Sequence, residues 1–278
     1  MDLDQYILLS LQEDVGPGDF SSLSCIPAHA SSKAKLIIKD KGILAGVELA
    51  ERIFKTVDSS LQINIHIKDG QHVDKGEIGF TIEGSVLSIL KSERLVLNCM
   101  QRMSGIASTT HLYAEQVKHT KAKILDTRKT TPLNRYIEKW AVRIGGGHNH
   151  RFGLSDMIMI KDNHVDYAGG IKQAIDAANV FRKTRNLNIA IEIETRNLNE
   201  VSQVLSTGGV ERIMLDNFQP TLLKEAVALI GGRFETEASG GILLQNIKEY
   251  AETGVDYISV GALTHSFISM DMSLKATR

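Results

Sequence analysis

The sequence predicts an α/β fold whose larger part is a closed or nearly closed barrel of parallel strands. Three observations carry this reading. Apolar strand-like runs (AKILD, MIMIKD, IAIEIE, RIMLD, RFETEAS and YISVG) follow one another along the second half of the chain. Helix-like segments such as AGGIKQAIDAANVFRKT, LNEVSQVLST, TLLKEAVALI and LLQNIKEYAET lie between several of them, the pattern of βαβ crossovers and parallel pairing. Charged residues and glycines gather where the apolar runs stop, and strand ends are where barrels of this kind place their chemistry. A doubly wound open sheet is the alternative. It is weakened because no GxGxxG stands between the first strand and helix of this region.

The first part of the chain, to about residue 105, has a different texture. DLDQYILLSLQEDV carries apolar residues at helical spacing, and GPGDFSS then breaks it. AKLIIKDKGILAG reads as two short strands around a Lys-Gly turn, and VELAERIFKTV as a helix. INIHIKDGQHVDKGEIGFTIEG alternates apolar and polar residues, with turns at Asp69-Gly70 and Lys75-Gly76, and predicts an antiparallel meander. A long amphipathic helix is predicted over 88–118, with a dip at Ser104-Gly105.

Length and composition bound the function. A chain of 278 residues holds one large α/β domain or two unequal ones, with a substantial core. Its formal net charge of -1 argues against a general nucleic-acid binder. The two cysteines, Cys25 and Cys99, have neither zinc-site nor redox spacing, so a reducing, cytoplasmic setting is expected. The start, MDLDQYILLSLQEDVG, lacks a basic segment followed by a long apolar core. A soluble protein without a signal peptide is therefore expected.

Read in order, the strand ends of the predicted barrel supply Asp126, Arg128 and Lys129, then Lys161, then Glu192 and Glu194. Asp216 and Asn217 follow, then Glu235, Glu237, Ser239, Gly240 and Gly241, and last Gly261 and Ala262. The early ends are basic, the middle ones acidic, and the last two are small turns. Arg128, His150, Arg151 and Lys161 form a candidate grip for an anion, since arginine forks suit carboxylates and lysine serves as a point charge. Each Lys or Arg taken singly reads first as a solvated charge, and His150 alone as a structural histidine. His148, His164 and Arg143 are read as structural or solvent-facing, and Gly145-Gly146-Gly147 as a turn. Glu194 and Asp216 suit ribose hydroxyls or magnesium, directly or through water, and equally a salt bridge to nearby cations. SGGI and VGAL, each ahead of a helical segment, fit a phosphate held by backbone amides, or simply tight βα loops.

DTRKTTP, EKWAV, GGGHNHRFGLSD, IKDNH, EIET, MLDNF, EASGGI and VGALTHS, in this order, closely resemble the quinolinate phosphoribosyltransferase family. EDVGPGDFSS and ERLVLN…MSGIAS resemble it as well, so the likeness runs nearly end to end. Two positions depart from the family's pattern. Leu133-Asn134-Arg135 stands where Gly-Leu-Arg is usual, and Trp140 where tyrosine is common.

The resemblance implies an N-terminal open α/β sandwich domain, residues 1–105 with a C-terminal return over 266–278. It implies an incomplete seven-strand parallel α/β barrel over 106–265. It also implies a homodimer with shared active sites, compatible with a hexamer, in which Arg94 reaches into the partner's site. The implied reaction joins quinolinate to 5-phosphoribosyl 1-diphosphate with loss of CO2. Arg128, His150, Arg151 and Lys161, with Arg94, would surround the quinolinate carboxylates, and Lys129 and Lys161 would face the diphosphate. Glu194 and Asp216 would hold the ribose and a magnesium shell, and Ser239, Gly240, Gly261 and His265 would line the 5'-phosphate site. The catalytic set is then Lys129, Lys161, Glu194 and Asp216. Two rivals remain from sequence: a paralogue associated with molybdenum transport that acts on another substrate, and a non-catalytic barrel that binds a phosphorylated metabolite.

Overall fold

A computed structural model describes residues 2–277 and divides the chain into two compact units. The first comprises 1–111, 130–146 and 263–278; the second comprises 112–129 and 147–262.

The chain opens with α1 (Leu3–Val15), capped by the Asp2 carboxylate accepting from the Gln5 amide at 2.8 Å. α2 (Phe20–Cys25), β1 (Ser31–Ile38), β2 (Gly42–Ile43) and α3 (Val47–Val57) follow. Next come β3 (Gln62–Ile65), β4 (His72–Val73), β5 (Ile78–Ser85) and the long α4 (Val86–Val117). The predicted meander is only partly realised. β3 pairs with β5, but β4 leaves that sheet and pairs with β2. The intervening Asp69 accounts for the detour: its carboxylate accepts from the Val47 and Glu48 amides at 2.8 and 3.1 Å, capping α3 from a distant turn.

The predicted dip in α4 does not interrupt the helix. Ser104 exchanges hydrogen bonds with Ala45, accepting from its N–H at 2.9 Å and donating to its C=O at 3.1 Å. A Cβ on Gly105 would overlap the Ile268 carbonyl oxygen. The small residues mark a close crossing of two segments, not a break.

The chain continues through β6 (Lys123–Leu125), α5 (Arg135–Ile144), β7 (Ile158–Ile160), α6 (Asp162–Ala168) and α7 (Ile171–Thr184). β8 (Ile191–Thr195), α8 (Leu198–Thr207), β9 (Arg212–Asp216), α9 (Pro220–Ile230) and β10 (Glu235–Ser239) come next. The last elements are α10 (Ile247–Ala251), β11 (Tyr257–Ser259), α11 (Ala262–His265) and β12 (Met272–Thr277). β12 runs antiparallel to β1 and lies at the edge of a four-stranded sheet ordered β12-β1-β5-β3.

The second unit holds the six parallel strands foreseen from the apolar runs, ordered β6-β11-β10-β9-β8-β7. Six strands, not the seven implied by family likeness, appear among the described residues. Away from β11, β6 makes a bridge from Leu125 to His148, just beyond the three glycines. Side chains alternate across each strand. Ile191, Ile193, Ile213 and Leu215 are buried apolar residues of β8 and β9, and Glu192, Glu194 and Asp216 alternate with them on the opposite face.

Candidate active site

The second unit contains Arg128, Lys129, His150, Arg151, Lys161, Glu194, Asp216, Ser239, Gly240 and Gly261; Arg94 and His265 belong to the first. Arg94 is exposed on α4, and exposed His265 ends α11 with its Nδ1 2.7 Å from the Ser266 hydroxyl.

Arg128 and Lys129 follow β6 and face solvent. Burial holds the Arg151 guanidinium below the usual arginine range, and the like charge of Arg128 adds to this. Two guanidiniums that repel one another are an arrangement completed by an anion carrying more than one charge. At the end of β7, the Lys161 ammonium lies 2.8 Å from the Glu194 carboxylate of β8. The His164 ring accepts from the Lys161 amide at 2.8 Å, so this histidine fixes the backbone of the lysine, consistent with its structural reading.

Asp216 ends β9. Its carboxyl is pushed up by burial and then by the neighbouring Glu194 charge. Asn217 donates from Nδ2 to Asp216 at 2.6 Å and adopts φ 58, a left-handed conformation that asparagine tolerates. Its backbone N–H donates to the Ser239 carbonyl at 2.8 Å, tying the end of β9 to that of β10.

β10 and β11 are parallel neighbours, with Ala238 opposite Ile258. The turns Ser239-Gly240-Gly241 and Val260-Gly261 therefore emerge side by side. The sequence placed a helix directly after the first turn, but α10 begins only at Ile247, and Asn246 accepts from the Leu243 amide at 2.8 Å. So short and late a helix lends this turn no dipole, and leaves only its loop amides to face an anion in the phosphate reading.

Sequence reasoning did not assign the charges beneath the mouth. Glu192 and Glu237 are fully buried, and His150 is nearly so. His150 Nε2 lies 2.9 Å from Glu192 and 3.3 Å from Glu237; these are ion-pair distances, without the alignment of a hydrogen bond. Arg212 reaches Glu237 at 3.0 Å and Glu235 at 3.0 Å, and its guanidinium carbon sits 3.9 Å from the Tyr257 ring centroid. The His150 N–H donates to buried Asp126 at 2.8 Å, and the Arg151 N–H donates to His150 Nδ1 at 2.7 Å. Burial opposes charge on His150, but the two carboxylates outweigh it and raise the ring to about 9. An Nδ1 that accepts must be unprotonated, so the Arg151 amide favours a ring carrying its proton on Nε2. Charge and geometry agree on a proton at Nε2 facing the carboxylates but differ at Nδ1, which a charged ring would protonate; the Arg151 hydrogen bond requires it bare and decides for a ring with its one proton on Nε2. Burial and the adjacent Glu237 push Glu192 up, whereas His150 and Arg212 overcome burial to hold Glu237 down. Alternation along β8 places Glu192 on the face of Glu194, a signal present in the sequence; their partners are remote in sequence and were not visible there.

Comparison with known proteins agrees with this architecture. The quinolinate phosphoribosyl transferase N-terminal domain matches residues 19–104, and the C-terminal domain of the same family matches 106–275. The chain is 47% identical to the chloroplastic nicotinate-nucleotide pyrophosphorylase [carboxylating] of Arabidopsis thaliana, covering 99% of this chain and 82% of that one. It is 42% identical to the probable nicotinate-nucleotide pyrophosphorylase [carboxylating] of Bacillus subtilis, covering 95% and 90%. The crystal structure of NadC from Streptococcus pyogenes superposes with a TM-score of 0.93 at 38% identity, covering 99% of this chain and 97% of that one. The chain belongs to the quinolinate phosphoribosyltransferase family.

Proposed function

We propose that this chain transfers the phosphoribosyl group of 5-phosphoribosyl 1-diphosphate to quinolinate with decarboxylation, giving nicotinate mononucleotide, diphosphate and CO2. The observation that carries the reading is the Arg128–Arg151 pair, set in the same unit as the Lys161–Glu194–Asp216 cluster. One end suits a pyridine diacid and the other a phosphorylated ribose. The family's near-complete coverage of the chain favours this activity over the paralogue and sensor alternatives.

In this proposal Arg128, His150, Arg151 and Lys161 orient the two carboxylates of quinolinate, with Arg94 lent by a second subunit. The pyridine nitrogen attacks C1 of the ribose as the bond to diphosphate breaks. Lys129 and Lys161 offset the charge on the departing group. A pyridine nitrogen already carries its lone pair, so placement contributes more than a base would. The C2–carboxylate bond then breaks, CO2 leaves, the electron pair stays at C2 beside the pyridinium nitrogen, and a proton replaces the carboxylate. No covalent enzyme intermediate is required. Ser239, Gly240 and Gly261 hold the 5'-phosphate, with His265 assigned to the same role.

Glu194 and Asp216 fit magnesium: both are hard oxygen donors, and the Glu194 charge bears on Asp216. Held there directly or through water, the ion would neutralise charge on the diphosphate. A homodimer with shared sites follows from assigning exposed Arg94 to a partner, and a hexamer built from such dimers is compatible. The first unit exposes Leu8, Leu9, Phe20 and Leu23, which suits burial against another copy. No described helix is long and apolar enough to cross a membrane. The free thiols Cys25 and Cys99 support a cytoplasmic setting.

Purified protein supplied with quinolinate, phosphoribosyl diphosphate and magnesium is expected to form nicotinate mononucleotide. Consumption of nicotinate in place of quinolinate would keep the reaction class and refute the substrate.

A further inference from the structure

Barrel interiors of this kind are ordinarily packed with branched apolar side chains. This one buries two glutamates, a histidine and most of an arginine: the Glu192 and Glu237 side chains are 0% exposed, His150 5% and Arg212 12%. Removing such ions from water costs several kcal/mol each, and apolar residues of similar volume are often at least as stabilising. General stability therefore does not explain the cluster.

Its connections do. His150 is engaged on three sides: its backbone N–H by Asp126, its Nδ1 by the Arg151 amide and its Nε2 by Glu192 and Glu237. Arg212 braces Glu237 from β9 at 3.0 Å. Arg151 gains little support from its own side chain, whose one hydrogen bond among those described reaches the Met157 carbonyl at 3.4 Å. Its place is therefore set by the backbone, which His150 holds.

We propose that Glu192 and Glu237, braced by Arg212, are positioning residues that lock the His150 ring and, through it, set Arg151 for recognition of the pyridine diacid. The inference rests on the assignment of Arg151 to the quinolinate end of the site. His150, Glu192 and Glu237 also present possible metal-ligand atoms within 4.8 Å of one another. The Arg212 guanidinium already supplies the cation against Glu237, so we assign no metal there.

The test uses Glu192→Gln and Glu237→Gln, which keep side-chain size and remove charge. Wild-type turnover of quinolinate is measured first; its absence refutes the functional reading and leaves the positioning claim without a basis. Given wild-type activity, each variant is expected to raise the quinolinate KM, and its Kd by calorimetry, at least tenfold. The phosphoribosyl diphosphate KM should stay within twofold, and the double variant should lose less than the product of the single losses. Equal weakening of both substrates, a fall in kcat alone, or unchanged quinolinate binding overturns the proposal. If both variants fail to fold, imidazole 15N shifts of the wild-type protein decide. A proton on Nε2 with an accepting Nδ1 is expected for His150, and a ring protonated on Nδ1 overturns the lock.

Discussion

Gly240 packs against Asn217 with no room between them for a side chain. A Cβ on Gly240 would overlap Asn217 Oδ1 and lie 3.0 Å from the Asn217 backbone nitrogen. Gly240 also has φ 94, which L-residues rarely adopt. Since Asn217 donates to Asp216, Gly240→Ala is expected to disturb that carboxylate as well as the turn. Urea denaturation should show a loss of about 1–3 kcal/mol, and the KM for phosphoribosyl diphosphate should rise more than that for quinolinate.

Leu133 stands where the family usually has glycine, and it retains a glycine-like backbone at φ 65. Its side chain is 74% exposed, so little packing offsets the conformational cost. Leu133→Gly relieves about 1–2 kcal/mol of steric cost against roughly 0.5–1 kcal/mol of added chain entropy. A net gain of about 0–1.5 kcal/mol for glycine is expected. Leu133→Val, with its branched Cβ, should be clearly less stable than Leu133→Gly in matched denaturation curves.

Glu138 is fully buried on α5, accepts Arg102 Nη2 at 2.6 Å and also takes the Thr131 amide. It thereby anchors the turn ahead of its own helix. Arg102→Met leaves that carboxylate buried without its cation and should cost about 3 kcal/mol. Adding Glu138→Gln should recover much of the loss, giving a double-mutant cycle with a large coupling energy.

Burial raises the Cys99 thiol from 9.0 to about 11, while Cys25 is exposed. A thiol-specific reagent at neutral pH should therefore label one equivalent in the native protein and two after denaturation. A group with a raised folded pKa contributes stability below its unfolded value and loses it as pH climbs through the folded value. The Cys99 contribution is thus present below about pH 9 and lost by about pH 11. Cys99→Ala should flatten that part of the stability profile.

Arg128→Ala removes one of the two repelling guanidiniums. It should weaken quinolinate about tenfold to a hundredfold, the range for a lost charged hydrogen bond of 1.5–3 kcal/mol. Calorimetry with quinolinate alone checks this, and unchanged affinity refutes the role of Arg128.

The six parallel strands were legible because buried strands need apolar runs, and the crossovers because helices need a different period. Long-range pairing was less legible. Nothing local announces that β4 pairs with β2, or that Asp69 caps a helix earlier in the chain. Ser104-Gly105 resembled a helix break because small residues weaken helices locally, yet their purpose is to admit another segment of chain. Among the site residues, strand-end position alone drew attention to Arg128, Lys161, Glu194 and Asp216. Glu192 and Glu237 were noted as strand-end acids without a role, because only the arrival of His150 and Arg212 makes a buried pair of carboxylates tolerable.

The register Leu36 to Leu274 pairs β1 with an edge strand that is synthesised long after it. Until β12 has been made, β1 offers unpaired amides and carbonyls on that side, a template open to strands of other nascent chains. Truncation just before Met272 would make this transient exposure permanent, and should favour aggregation over soluble yield even though no residue assigned to catalysis is removed.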